Sequence, residues 1–316
     1  MLSAAKILIV GCGQLGSRHL QSLALIQRDL DIHIVDPFQE SLDKAKLLFK
    51  PSEKFRQNLS THTSLDEIKN TRFDVTINAS TSQSRLEILK NMKALEILSN
   101  FLILEKVLFQ NISDYSEALN FIDDSSTWVN CPRRMYNFYQ DLKSSIQGPI
   151  QAKFQAANWG LCCNSVHYID LIQYLTGEKP LNINTEKLKK EVFPTKREGY
   201  IELYGVVAVE FDGGSTLELT CTEEPTEWQL EIQGKNFSYV NQEPKGTSVL
   251  NQKHIPIRAP YQSELTAIIV EKLLSTGKCD LATYKESQLA HVLLIRNLLE
   301  HYRKITKLNI DTLPIT

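Results

Sequence analysis

Residues 6–16 read K-I-L-I-V-G-C-G-Q-L-G. A continuous apolar run of this length predicts a strand buried on both faces, the signature of a parallel sheet. Gly11, Gly13 and Gly16 follow with the spacing G-x-G-x-x-G. Beyond them, QLGSRHLQSLALI keeps Leu15, Leu20, Leu23 and Ile26 near helical spacing. The glycines therefore sit between a strand and a helix, the context in which this spacing cradles a pyrophosphate. Gly11 permits the tight turn, Gly13 lets the backbone approach the phosphates, and Gly16 lets the helix pack close to the strand. The helix N-terminus faces the negative charge. With Gln14 and Leu15 between them, these glycines are candidate dinucleotide-binding residues. A bare glycine-rich bend is the competing interpretation.

A second strand, D-I-H-I-V-D, ends at Asp36, 20 residues past Gly16. A carboxylate there accepts hydrogen bonds from ribose hydroxyls and repels a 2′-phosphate. Pro37 and Phe38 supply no arginine for such a phosphate, which favours NAD over NADP. The alternation continues with strands over 72–80 and 101–106 and a further one opening at 126. Helices are expected over 83–92 and 113–122, the latter N-capped by Ser113. Strands alternating with helices imply an α/β, doubly wound parallel sheet of the Rossmann type. Ligands bind at the carboxyl ends of such strands. That rule puts Gly11 to Gly16, Asp36, Ser80, Thr81, Glu105 and Lys106 on one rim. An ammonium at Lys106 can hydrogen-bond a substrate hydroxyl and stabilise its developing alkoxide.

The pattern changes after Cys131. A helix over 165–177 closes at Gly177. β-like runs follow at 204–211, 214–222, 227–234 and 237–240, with a hairpin turn at Asp212-Gly213-Gly214. Consecutive strands of this kind suggest a mostly antiparallel sheet. Two helical stretches, 261–277 and 284–305, end the chain. A domain of residues 1–128 followed by one of 129–316 is expected. In the segment 158–171, read as helical around His167, Cys163 and Asn164 precede His167 by four and three residues, and Asp170 follows it by three. Such neighbours share a face with the imidazole, and histidine suits proton transfer near neutral pH. Asn164 or Asp170 can fix its tautomer. Arg133 and Arg134 follow a strand near this rim and can bind a substrate phosphate or carboxylate.

Composition narrows the function. The chain has 316 residues, 42% of them hydrophobic and 23% charged, which is globular rather than disordered. A net charge of −2 without a Lys/Arg block argues against a nucleic-acid partner. No apolar stretch approaches the roughly 20 residues of a membrane span. Lys6 interrupts the first apolar run, so no secretory leader is expected. The six cysteines form no C-x-x-C, and the seven histidines no H-x-x-x-H or H-E-x-x-H. No metal site is expected, and scattered thiols suit a reducing, cytoplasmic setting.

The combined motifs resemble the glucose–fructose oxidoreductase / inositol dehydrogenase family, Gfo/Idh/MocA. The resemblance spans most of the chain. It rests on G-C-G-Q-L-G-S-R-H, V-D-P, A-S-T-S, E-K-V-L in place of the family's E-K-P-L, and H-Y-I-D-L followed by Y-L-T-G. It implies a Rossmann domain and a C-terminal α/β domain with an open, mostly antiparallel sheet that commonly forms oligomer contacts, here a homodimer or homotetramer. It implies hydride transfer between NAD(H) or NADP(H) and a carbinol carbon of a sugar, cyclitol or nucleotide-sugar. Lys106 corresponds to the E-K-P lysine and His167 to the catalytic histidine; Arg134, Asn164 and Asp170 are the candidate substrate-side residues. Two departures stand out. Val107 replaces the proline, and Cys163 replaces the aspartate of D-x-x-x-H found in many members. A neutral thiol does not raise histidine basicity as a carboxylate does. A catalytically silent NAD-binding regulator of the same fold is therefore the alternative.

Overall fold

The computed structural model describes residues 4–316. The chain divides into two compact units. The first holds residues up to 109, 116–130 and 260–284, and the second holds 110–115, 131–259 and 285–316. The helices are α1 (Gln14–Leu23), α2 (Gln39–Leu48), α3 (Arg85–Ala94), α4 (Ile112–Glu117), α5 (Asn137–Lys143), α6 (Leu161–Thr176), α7 (Gln262–Thr276) and α8 (Tyr284–Thr306). None is long and apolar enough to cross a membrane.

In the first unit, β1 (Ala5–Val10), β2 (Leu30–Val35), β3 (Gln57–His62), β4 (Arg72–Asn78), β5 (Leu98–Glu105) and β6 (Thr127–Asn130) form a parallel sheet in the order β6-β5-β4-β1-β2-β3. The short strand Ala282–Thr283 adds antiparallel to β6. Ile7, Leu8 and Ile9 are fully buried, as a central strand covered on both faces requires. Strand order reverses about β1, so the glycine turn opens at the topological switch point. α7 packs on α1, where the Ala267 N–H donates to Ser22 Oγ at 2.9 Å. The expected cap of α4 is corrected: the helix starts at Ile112, and Asn111 Oδ1, not Ser113, accepts the first free N–H, from Ser113 at 3.0 Å.

In the second unit, β7 (Gln151–Ala157), β8 (Pro180–Asn184), β11 (Gly205–Phe211), β12 (Thr216–Thr222), β13 (Gln229–Gln233), β14 (Ser238–Gln242), β15 (Thr247–Leu250) and β16 (Lys253–Pro256) make one sheet, while β9 (Phe193–Pro194) and β10 (Ile201–Glu202) form a separate ladder. The order is β16-β15-β14-β13-β7-β12-β11-β8. Within this sheet, among the described residues, only β7 with β12 is parallel. The 212–214 turn joins β11 to β12, with Gly214 at φ +97°. In β7, Ala152, Phe154 and Ala156 face inward while Gln151, Lys153 and Gln155 are exposed. Phe154 stacks on Tyr168 of α6 at 4.0 Å between centroids.

The β2–β3 edge carries a chain of titratable groups. His33 Nδ1 and His62 Nε2 lie 3.0 Å apart in rings only 5° from parallel. Asp31 is 3.4 Å from the far nitrogen of His33, and Glu67 is 3.4 Å from that of His62. Lys6 lies 3.8 Å from Asp31. One ring nitrogen of the facing pair must donate and the other accept, so two imidazolium rings would set N–H against N–H. Burial is the largest influence on His33 and depresses its pKa; Asp31 opposes it, and His62 and Lys6 reinforce it. The folded state therefore takes up this proton less readily than the unfolded chain. Stability should be level above the ordinary histidine value of 6.5 and fall as pH drops below it. Urea midpoints measured from about pH 8 to 5 should show this loss, and His33→Phe should flatten it.

Candidate functional site

The glycine turn leaves β1 with Gly11 at φ +89°, a conformation that favours glycine. A Cβ on Gly11 would stand 2.8 Å from the Ser80 nitrogen, and one on Gly16 would stand 1.8 Å from the Gly11 carbonyl oxygen. Helix and turn therefore touch backbone to backbone. Gly13 differs: its Cβ would meet nothing within 4 Å. It is exposed, as is Gln14, while Leu15 is half-buried. Gly13 supplies no side-chain cap to α1, whose first N–H groups open onto that space. Phosphate oxygens suit such a cradle in both shape and charge.

Asp36 builds the neighbouring wall. Its Oδ2 accepts from the Cys12 N–H at 2.7 Å and its Oδ1 from the Phe38 N–H at 2.9 Å. Burial, reinforced by Asp36, pushes the Cys12 thiol up to about 12, so it remains neutral beside the carboxylate. Across the turn, Ser80 Oγ donates to Asn78 Oδ1 at 2.6 Å, and the Thr81 and Ser84 hydroxyls share a hydrogen bond of 3.1 Å. Gly11, Asp36 and Ser80 thus surround one open end of the sheet, the fit that a dinucleotide's pyrophosphate and ribose require.

At the end of β5, Glu105 is buried and accepts from His19 Nε2 at 2.9 Å and from Asn130 Nδ2 at 2.5 Å. His19 Nδ1 meets the Thr266 hydroxyl at 2.8 Å, and Gln262 joins both Asn130 and Thr266 at 3.0 and 2.9 Å. Three elements, α1, β6 and α7, thereby converge on the residue preceding Lys106, which is half-buried. The Lys106–Val107 peptide is cis. His19 was not expected at the site. Its signal was its place on the apolar stripe of α1, beside Leu20 and Leu23.

In the second unit, His167 sits on α6, half-buried, with Nδ1 sheltered from solvent. Asn164 Nδ2 donates to the Trp159 carbonyl at 2.7 Å, and the Cys163 thiol lies 3.6 Å from that of Gly160. Arg134 and Asp170, expected at the substrate, form a buried fork with each other: Nε to Oδ2 at 2.9 Å and Nη2 to Oδ1 at 2.7 Å. Each charge is thus paired with the other. Arg133 bonds Glu243 at 2.6 Å and lies over the Tyr168 ring at 4.5 Å. Trp159 packs edge-on against Phe154 at 4.8 Å.

No protein-family model and no curated protein matches the sequence. Solved structures do. UDP-N-acetylglucosamine 3-dehydrogenase from Acidithiobacillus ferrooxidans aligns with a TM-score of 0.70 at 11% identity, over 94% of this chain and 98% of that one. Scyllo-inositol dehydrogenase from Lactobacillus casei, with bound NAD(H) and scyllo-inositol, gives 0.67 at 16% identity, over 96% and 98%. An oxidoreductase from Agrobacterium radiobacter in complex with NAD+, L-tartaric acid and magnesium gives 0.67 at 14%, over 96% and 97%. The chain shares the fold of these proteins across nearly its whole length.

Two stability tests follow from these contacts. Gly16→Ala should cost about 1–3 kcal/mol, because a carbonyl must move, whereas Gly13→Ala should stay within about 1 kcal/mol. Asp170→Asn should cost about 3–5 kcal/mol by leaving Arg134 buried without its counter-charge. Urea denaturation of the three variants measures all of these.

Proposed function

We propose that the first unit binds NAD in preference to NADP, and that the chain oxidises or reduces a carbinol carbon of a sugar, cyclitol or nucleotide-sugar. The observation that carries this is the open space over Gly13, at the uncapped start of α1 and beside the Asp36 carboxylate. Fold likeness adds support, since one solved structure of this fold holds NAD(H) and scyllo-inositol together.

Gly11, Gly13, Gln14, Leu15 and Gly16 would hold the pyrophosphate, Asp36 the adenosine ribose, and Ser80, Thr81, Glu105 and Lys106 the nicotinamide end. When bound, the nicotinamide supplies the hydride acceptor or donor. Lys106 donates a hydrogen bond to the substrate oxygen and stabilises the negative charge that grows there. His167 takes the hydroxyl proton at Nε2, or returns it in the reverse direction. The second unit contributes substrate contacts, and a second copy of the chain covers its open sheet in a homodimer or homotetramer.

Cys163 favours one other interpretation, a silent NAD-binding regulator, because a thiol gives the imidazole no carboxylate. Nicotinamide absorbance followed with NAD and a panel of sugars, cyclitols and nucleotide-sugars separates the two. Reduction with one substrate supports the enzyme; NAD binding without turnover across the panel supports the regulator. Lys106→Met should cut kcat by about 100-fold or more, with a much smaller loss of NAD affinity. Near-normal turnover would remove Lys106 from the mechanism.

A further inference from the structure

We infer that Arg85 is the positioning residue of Lys106, locking the loops after β4 and β5 into one piece. The inference rests on the catalytic role proposed for Lys106.

Arg85 is the first residue of α3, where an arginine is ordinarily solvated, yet it is only 1% exposed. Its Nη2 donates to the Ser80 carbonyl at 2.5 Å. Its Nη1 donates to the carbonyls of Val107 and, at 2.6 Å, Leu108. These three partners are main-chain oxygens on two loops. β4 and β5 pair with Asn78 opposite Leu104, so Ser80 and Lys106 each lie two residues past the same rung. The guanidinium bridges the loops just where they leave the sheet.

The bridge completes a frame around Lys106. The residue before it is held through its side chain, by His19 and Asn130. The two residues after it are held through their carbonyls, by Arg85. The Ser80 loop in turn lies close against the glycine turn, since its nitrogen lies 2.8 Å from where a Gly11 Cβ would be. A shift of the dinucleotide cradle is thus conveyed to Lys106 through one planar group. Only a guanidinium presents several donors in fixed directions; an ammonium on a flexible stem cannot span three carbonyls in the same way. It also stays charged throughout the working pH range.

The test compares wild type, Arg85→Met, Arg85→Lys, Lys106→Met and the Arg85→Met/Lys106→Met double variant. In the unliganded protein, Arg85→Met should raise amide exchange in 79–84 and 105–109 together, about tenfold or more, with β1 and β4 unchanged. Arg85→Lys should do so to a smaller degree and serves if Arg85→Met does not fold. In turnover, Arg85→Met should lower kcat by about 100-fold with KM and NADH affinity within threefold. The double variant should be no slower than Lys106→Met alone, because the arginine acts through the lysine. Unchanged exchange in either loop, or single losses that multiply in the double variant, would overturn the inference. Should wild type reduce NAD with no substrate, the activity reading fails by itself, and exchange still decides whether Arg85 joins the loops.

Discussion

The first unit is organised around a contact with no side chain in it, Gly16 against the carbonyl of Gly11. Its closeness fixes the start of α1 relative to the end of β1. Once that distance is set, the inward stripe of α1 is aimed: Leu20 and Leu23 enter the core, and His19 arrives at Glu105. The same closeness leaves the first turn of α1 facing the open space over Gly13. One steric requirement thus sets the packing and the polar mouth together, so their geometries cannot vary independently.

Buried polar groups do most of the work of placing the rim. Glu105, His19, Asn130 and Thr266 are each less than a tenth exposed, and burial on that scale is tolerable only when partners are present. The partners come from α1, β6 and α7 and converge on the last residue of β5. Apolar packing alone tolerates small slips, whereas a converging hydrogen-bond set does not. In the second unit the Arg134–Asp170 fork similarly ties the segment after β6 to α6, the helix that carries His167.

The doubly wound sheet was legible because β1 and the Phe101–Leu104 part of β5 are continuous apolar runs, and these and the strand at 72–80 alternate with helical stretches. The antiparallel character of the second sheet was legible from the β-like runs at 204–211 and 214–222 and from the Asp-Gly-Gly turn. β3 escaped notice because Q-N-L-S-T-H is a polar edge strand, held through main-chain pairing with β2. β7 escaped because two of its three inward residues, Ala152 and Ala156, are small, leaving Phe154 as its one large apolar side chain. The glycine turn, Asp36 and Lys106 stood out through local spacing. Arg134 and Asp170, 36 residues apart in sequence, could not be recognised as each other's partner. The burial of Arg85 at a helix start depends on contacts between distant segments, and the roles of Gln262 and Thr266 depend on a return of the chain; no local pattern encodes either.

That return has a consequence for how the molecule is made. The first unit takes α7 and the strand Ala282–Thr283 only after the whole of 131–259 has been spent on the second unit. On the ribosome, the nascent parallel sheet must wait, with His19 and Asn130 lacking Thr266 and Gln262 and the β6 edge open, until the second unit has emerged. Neither unit can be cut from the chain as a contiguous fragment. The first is therefore completed late, although it is begun first, and until then the β6 edge lacks its last strand.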